Sequence, residues 1–255
     1  MRAKAELDSG GADRLRYAAL ELRFAMEALT YDRAQAYAEE IPPSEYNTWQ
    51  PKKLMEMLIN IHPHADKDSE VRFGRQDAPG LSPAKLRVLG REKVFDLQSL
   101  KKHYDALGSY LHMPTLKQFS HVGGIDLAKL RVRCDQIVLK VEEALSSSVF
   151  NVTLGMFAHI DCMKCEKPVR KRFLSNEEAV DAECFHCGAL YRVVATDENR
   201  VEWKPMQQQL KCGTSGCSET FFIWDHQIQV GAQWRCSGCQ TRYRIEYAVG
   251  RVEDE

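Results

Sequence analysis

The 255-residue sequence has no run of eighteen or so consecutive apolar residues, which excludes an ordinary membrane-spanning helix. Its opening stretch, MRAKAELDSGGADRLR, has none of the apolar core that a secretory leader needs, so a cytoplasmic protein is expected. An excess of charge is also missing: the formal net charge is -1, which rules out the simplest electrostatic case for a nucleic-acid binder, a uniformly basic chain. Binding of that kind would need a local patch. There is no glycine-rich phosphate loop either, since His121-Val122-Gly123-Gly124 reads only as a turn before a helix cap. No serine, cysteine or carboxylate stands at a recognisable catalytic spacing from His103, His112 or His121, so no enzyme follows from these residues. His62, His64 and Asp66 are metal-ligand types, but the proline between the histidines makes a polar turn the better reading.

What is present first is helical periodicity. Leu15, Ala18, Ala19, Leu22, Ala25, Met26 and Leu29 lie on one face of a helix expected from about Asp13 to Glu40, where Ile41-Pro42-Pro43 ends it. Pro51 suits the first turn of a second helix, because the N–H it lacks has no partner there; Leu54, Met55, Leu58 and Ile61 supply the apolar face. Residues 65 to 93 are polar, rich in glycine and proline and without a sustained period, and are expected to form a long connection. Asp96 and Asp126 can each cap a further helix, with stripes at Leu97, Leu100, Tyr104, Leu107 and Leu111, and at Leu127, Leu130, Cys134, Ile137, Val141 and Leu145. Four helices with one-sided stripes should pack as a bundle, residues 1–148, which could also serve self-association.

After Ser146-Ser147-Ser148 the pattern becomes strand-like, at Val149 to Ile160, Leu190 to Ala195, Phe221 to Trp224 and Tyr243 to Val249. The fold class is therefore α+β, an N-terminal helical bundle followed by two small β-hairpin modules, 149–200 and 201–255. Such small modules cannot bury enough apolar surface alone, and metal would supply the missing stability.

Eight of the nine cysteines fall into close pairs. Cys162 and Cys165 are followed after eighteen residues by Cys184 and Cys187; Cys212 and Cys217 are followed, again after eighteen, by Cys236 and Cys239. Moving Cys165, Cys184 and Cys187 forward by 52 positions gives Cys217, Cys236 and Cys239, and carries Tyr191-Arg192 onto Tyr243-Arg244. The unit is duplicated. Only the first knuckle of the second copy is longer, by an insertion that Gly213 and Gly216 can accommodate. Two thiolates in one tight turn and two in a second complete a tetrahedral shell with no open position, which points to two structural zinc ions. Iron–sulfur ligation is the competing metal, and His186 a competing ligand. Cys134, inside a predicted helix, reads as a buried free thiol.

Both units resemble zinc ribbons, the rubredoxin-like knuckle modules of transcription, translation and nucleic-acid-processing proteins, over about Ala158 to Tyr247. Cys187-Gly188 keeps the glycine that often follows a knuckle, whereas Cys239-Gln240 does not. The helical region, Asp13 to Leu145, resembles the HEPN class of bacterial toxin and phage-defence domains. It does so through the Leu15 to Leu29 helix and the stretch from Leu107 to Pro114. Nucleolytic members carry an Arg, four to six residues, then a His; no His here has an Arg at that distance upstream, so a scaffold is expected ahead of a ribonuclease.

Lys164, Lys167, Arg170, Lys171 and Arg172, beside Phe173, form a basic arm in the first module that could neutralise phosphates and stack on a base. Against this, 13 Lys and Arg face 15 Asp and Glu after Gly155. Nucleic acid and a protein partner are balanced alternatives, and a non-enzymatic accessory protein is the leading expectation. A divergent ribonuclease or toxin and a zinc-ribbon transcriptional regulator are the other readings. The repeated Tyr-Arg pairs could be binding anchors, but the better reading is a preserved hairpin strand with Tyr over the metal site and Arg outward. Trp203, Trp224 and Trp234 are expected to help line an interface between the modules.

Overall fold

A computed structural model describes residues 2–47, 50–77, 83–113, 126–173, 177–197 and 200–248. The chain forms two compact units, Met1–Leu154 and Gly155–Glu255.

Among the described residues the first unit has five α-helices: α1 (Arg2–Ser9), α2 (Ala12–Gln35), α3 (Pro51–Ile61), α4 (Leu97–Leu111) and α5 (Leu127–Leu145). The expected stripes face inward: Leu22, Met26, Leu58, Leu100, Leu107, Leu130, Cys134 and Ile137 are all fully buried around α2. Pro51 opens α3. The Asp96 carboxylate accepts the N–H of Ser99 at 2.7 Å and that of Asp126 accepts Lys129 N–H at 2.9 Å, so both expected caps form.

One helix precedes the expected four, and two local expectations are corrected. The chain before Asp13 is helical: α1 buries only Ala3 and Leu7, too few positions to show a period, and turns into α2 through Gly10 and Gly11 at φ 70 and 90. Helix α2 ends at Gln35, short of Glu40, because Tyr37 turns into the core, where its hydroxyl meets His62 Nδ1 at 2.8 Å. The expected connection 65–93 contains an antiparallel hairpin, β1 (Ser69–Phe73) with β2 (Arg87–Glu92). This hairpin leaves Phe73, Val88 and Leu89 exposed, so it has no apolar face to reveal itself by alternation.

The hairpin is anchored by charge. Arg33 of α2 and Glu92 of β2 are both buried and meet at 2.8 Å. Arg33 Nε also donates to the Ala65 carbonyl at 3.0 Å; Glu92 accepts the Ser69 hydroxyl at 3.2 Å and the backbone N–H groups of Asn151 and Val152. One ion pair thus ties α2, the hairpin and the chain leaving the unit. Ser147 and Ser148 reinforce the closure by accepting the backbone N–H groups of Lys93 and Arg91, each at 2.8 Å.

The strands of the second unit pair antiparallel: β3 (Met156–Asp161) with β4 (Pro168–Phe173), β5 (Ala179–Glu183) with β6 (Leu190–Asp197) and β7 (Arg200–Pro205), β8 (Gln207–Lys211) with β9 (Thr220–Trp224), and β10 (Gln233–Arg235) with β11 (Arg242–Arg244); a short 3-10 turn, Asp225–Gln227, follows β9. The expected strand over 149–160 begins only at Met156, and the last strand ends at Arg244. Val169, Phe173, Ala182, Tyr191 and Val193 form the core of the first repeat, and Trp224 from the second completes it. Tyr191 lies edge-on to both Trp203 and Trp224, at 5.7 and 5.3 Å between centroids. The second repeat has its own aromatic cluster, in which Trp234 stacks on Tyr243 at 5.9 Å and 14° while Phe221 packs against both.

Candidate metal centres

Each cysteine pair sits at the tip of a hairpin, where two strands deliver the chain into a tight turn. The four turns share one frame. The backbone N–H of Cys162, Cys184, Cys212 and Cys236 each crosses the base of its turn at 2.9 Å, to Lys167, Ala189, Glu219 and Thr241 respectively. In three turns the residue after the second cysteine enters the left-handed region, Glu166 at φ 59, Gly188 at φ 73 and Gln240 at φ 60. Its N–H then returns to the carbonyl of the first cysteine, at 2.8, 2.8 and 3.0 Å. Gln240 therefore takes the turn without glycine, at a cost of roughly 1 kcal/mol in backbone sterics.

The turns bring the sulfurs together in two groups, Cys162, Cys165, Cys184 and Cys187, and Cys212, Cys217, Cys236 and Cys239, with all four ligand atoms of each within 4.8 Å of one another. The separations 162–187 and 165–184 are both 3.6 Å; 212–239 is 3.5 Å and 217–236 is 3.7 Å. A disulfide needs about 2.05 Å. The edge of a tetrahedron around zinc with Zn–S near 2.3 Å is about 3.8 Å, so both groups have the dimensions of a ligand shell. Each could hold a zinc ion. His186 is exposed and outside its neighbouring group, whose four positions are filled by sulfur. Among the described residues no other cluster of His, Cys, Asp or Glu has ligand geometry, and His62 is engaged by Tyr37 as part of the turn.

The duplicated tyrosines have one task. Tyr191 donates its hydroxyl to Cys162 Sγ at 3.2 Å and accepts Met163 N–H at 2.9 Å; Tyr243 lies 2.9 Å from Cys212 Sγ and accepts Gly213 N–H at 2.9 Å. Arg192 and Arg244 point outward, to Asp181 and Glu246. Burial would raise the Cys162 thiol, but the Tyr191 hydroxyl and the N–H groups of Lys164 and Cys165 outweigh it and bring it down to about 6. At the second centre the hydroxyl and N–H of Thr241, with the Thr214 hydroxyl, bring Cys239 down to about 5. Burial and the neighbouring sulfurs push Cys187 up to about 12. Four sulfurs this close cannot all ionise without a cation, and a bound dication is what would let them.

Outer partners of this kind typically change metal affinity 10- to 100-fold. Tyr191→Phe is expected to weaken the first centre by about that range, because its hydroxyl is buried and nothing replaces it. Tyr243→Phe should cost the second centre less than about tenfold, since it is half-exposed and two threonine hydroxyls share its centre. Chelator competition, read separately at each centre, measures both; the reverse order would refute this assignment of roles.

No family model, no curated protein and no solved structure matches this chain.

The basic arm of the first repeat is dispersed. Lys164 is exposed, with Nζ 3.4 Å from the Cys187 carbonyl and 3.1 Å from His226 Nε2, over the metal turn. Lys167 is exposed on the same turn and Lys171 half-buried on β4. Arg170 and Arg172 lie over the Phe157 ring at 3.6 and 4.6 Å, and Arg172 and Phe173 are buried. The histidines of the helical unit are equally scattered. His103 is only 2% exposed and its Nδ1 has no hydrogen-bond partner among the described residues. Burial, helped by Arg133, Lys102 and Lys140, takes its pKa down to about 4, which keeps the imidazole neutral. His112 is exposed at the end of α4, and His121 lies outside the described residues.

Sequence reasoning overlooked Thr214 and Thr241, which attend Cys239, and His226, whose ring lies against Gly188 of the first centre. The threonines flank cysteines and were open to detection; His226 reaches its centre only through the packing of the repeats.

Proposed function

We propose that this protein is a zinc-dependent accessory protein without catalysis of its own, in which tandem ribbons present a recognition surface for a macromolecular partner and the helical unit docks or self-associates. The observation that carries the reading is the closed four-sulfur shell: with four thiolates per ion, no position is left for a water or substrate. Zinc then acts as a cross-link that sets hairpin positions. The HEPN-like reading of the helices and a place in phage defence rest on the resemblance of α2 and α4 alone.

The ribonuclease alternative is disfavoured by the histidines. His103 is buried and neutral, and His112 is exposed at the end of α4. Recombinant full-length protein should contain two zinc ions per chain and leave RNA intact. RNA cleavage that His112→Ala abolishes in zinc-loaded protein would overturn the non-enzymatic reading.

A further inference from the structure

The two repeats are built in one register but carry different charges on one face. In the first, the β5–β6 pairing sets Asp181 opposite Arg192, Ala182 opposite Tyr191 and Glu183 opposite Leu190. In the second, β10–β11 sets Gln233 opposite Arg244, Trp234 opposite Tyr243 and Arg235 opposite Arg242. Every pair in the second set is the corresponding pair of the first moved by 52 positions. Because side chains alternate along a strand, Gln233, Arg235, Arg242 and Arg244 share the face away from Trp234 and Tyr243. All four are exposed.

The first repeat carries its own counter-charges on this face: Asp181 and Glu183 stand with Arg192 and with Lys204 of β7, and Arg192 pairs with Asp181 at 2.7 Å. In the second, three guanidiniums meet no carboxylate on the strands. Among the described residues, of these three only Arg244 has an ion pair, with Glu246 at 3.5 Å, and both side chains are more than half exposed. Arg235 and Arg242 stand directly across from each other, an arrangement that destabilises an antiparallel pair. Both copies therefore keep the architecture, while the second accepts a local electrostatic cost that an anionic partner would relieve.

We infer that the β10–β11 face of the second ribbon is a binding surface for duplex nucleic acid, gripping phosphates through Arg235, Arg242 and Arg244. This rests on the recognition role proposed above and names its ligand. Guanidiniums are suited to bidentate phosphate contact. A two-stranded ribbon is also of a size that a duplex groove admits. Single-strand binders add aromatic platforms for stacking, and here the aromatic residues of these strands lie on the opposite face, which favours the duplex backbone. Recognition by phosphates alone carries no sequence preference.

The test uses zinc-loaded full-length protein, a fluorescent 20-base-pair duplex and anisotropy at several salt concentrations. With three phosphates neutralised, a fourfold rise in salt should weaken binding about 40-fold. The R235Q/R242Q/R244Q variant should keep both zinc ions, lose at least tenfold in affinity at low salt and lower the salt slope by about 3. E246Q, which frees Arg244, should bind more tightly than the unaltered chain. If the triple variant holds its zinc and binds the duplex like the parent, the surface assignment is wrong. If the parent holds two zinc ions but binds poly-glutamate and not the duplex, the partner is an acidic protein, which overturns the inference and leaves the accessory reading intact. Protein without zinc would instead defeat the proposed function itself.

Discussion

Chelation of the full chain is expected to unfold the ribbon unit and leave the helical unit folded. Binding of structural zinc by small cysteine-ligated folds is worth roughly 10–16 kcal/mol at neutral pH, more than the few kcal/mol that cores of this size supply. With the metals removed, each shell becomes four crowded sulfurs, and the hairpins they join should separate. Circular dichroism should show loss of the β contribution with the helical signal retained. Thiol labelling gives a sharper readout. The eight clustered cysteines should become reactive together, while Cys134, fully buried on α5 and pushed up to about 11 chiefly by burial, stays protected. Cys184→Ser should abolish the first centre and, through Trp224, loosen the second repeat as well. Cys239→Ser, at the exposed edge of its shell, should release only the second ion. An unchanged β signal after complete zinc removal would show that the metal is not architectural.

The second large effect is expected in the helical unit. Arg33→Met leaves Glu92 charged, buried and facing two backbone N–H groups without its cation, and should cost about 3–5 kcal/mol. For a unit of this size that is a fall in Tm of roughly 6–20 °C. The double variant Arg33→Met/Glu92→Met should be less damaging than the sum of the singles, because it removes the stranded charge. As a comparison, Lys4→Ala breaks an exposed pair with Glu142 and should change stability by about 0.5 kcal/mol or less. A loss below about 1 kcal/mol for Arg33→Met would mean that the buried pair is not what holds the hairpin to α2.

The contrast between these two anchors explains what could be read from the sequence. The zinc shells depend on cysteines at short, repeated spacings, and the turn that each spacing makes is local; the tetrahedral dimensions follow almost directly. The caps at Asp96 and Asp126 were legible for the same reason, since donor and acceptor are three residues apart. The Arg33–Glu92 pair joins positions 59 residues apart, and neither residue has a pattern that names the other. The β1–β2 hairpin was hidden with it: a strand anchored by one buried carboxylate leaves no alternating stripe.

By itself, then, the sequence determined the α+β division, the faces of the long helices, the eight sulfur ligands and the duplication that relates them. These features depend on neighbours within a turn or on a periodic stripe. Tertiary structure alone decided which side chains reach a metal turn from a distance, as His226 does at Gly188 and Lys164. It decided that the expected basic arm is partly buried, with Arg170 and Arg172 over Phe157. It also decided that Arg235 and Arg242 face each other in the open. Cross-strand register places residues distant in sequence side by side, and charge acts through space, so the sign of a surface emerges only once the strands are paired.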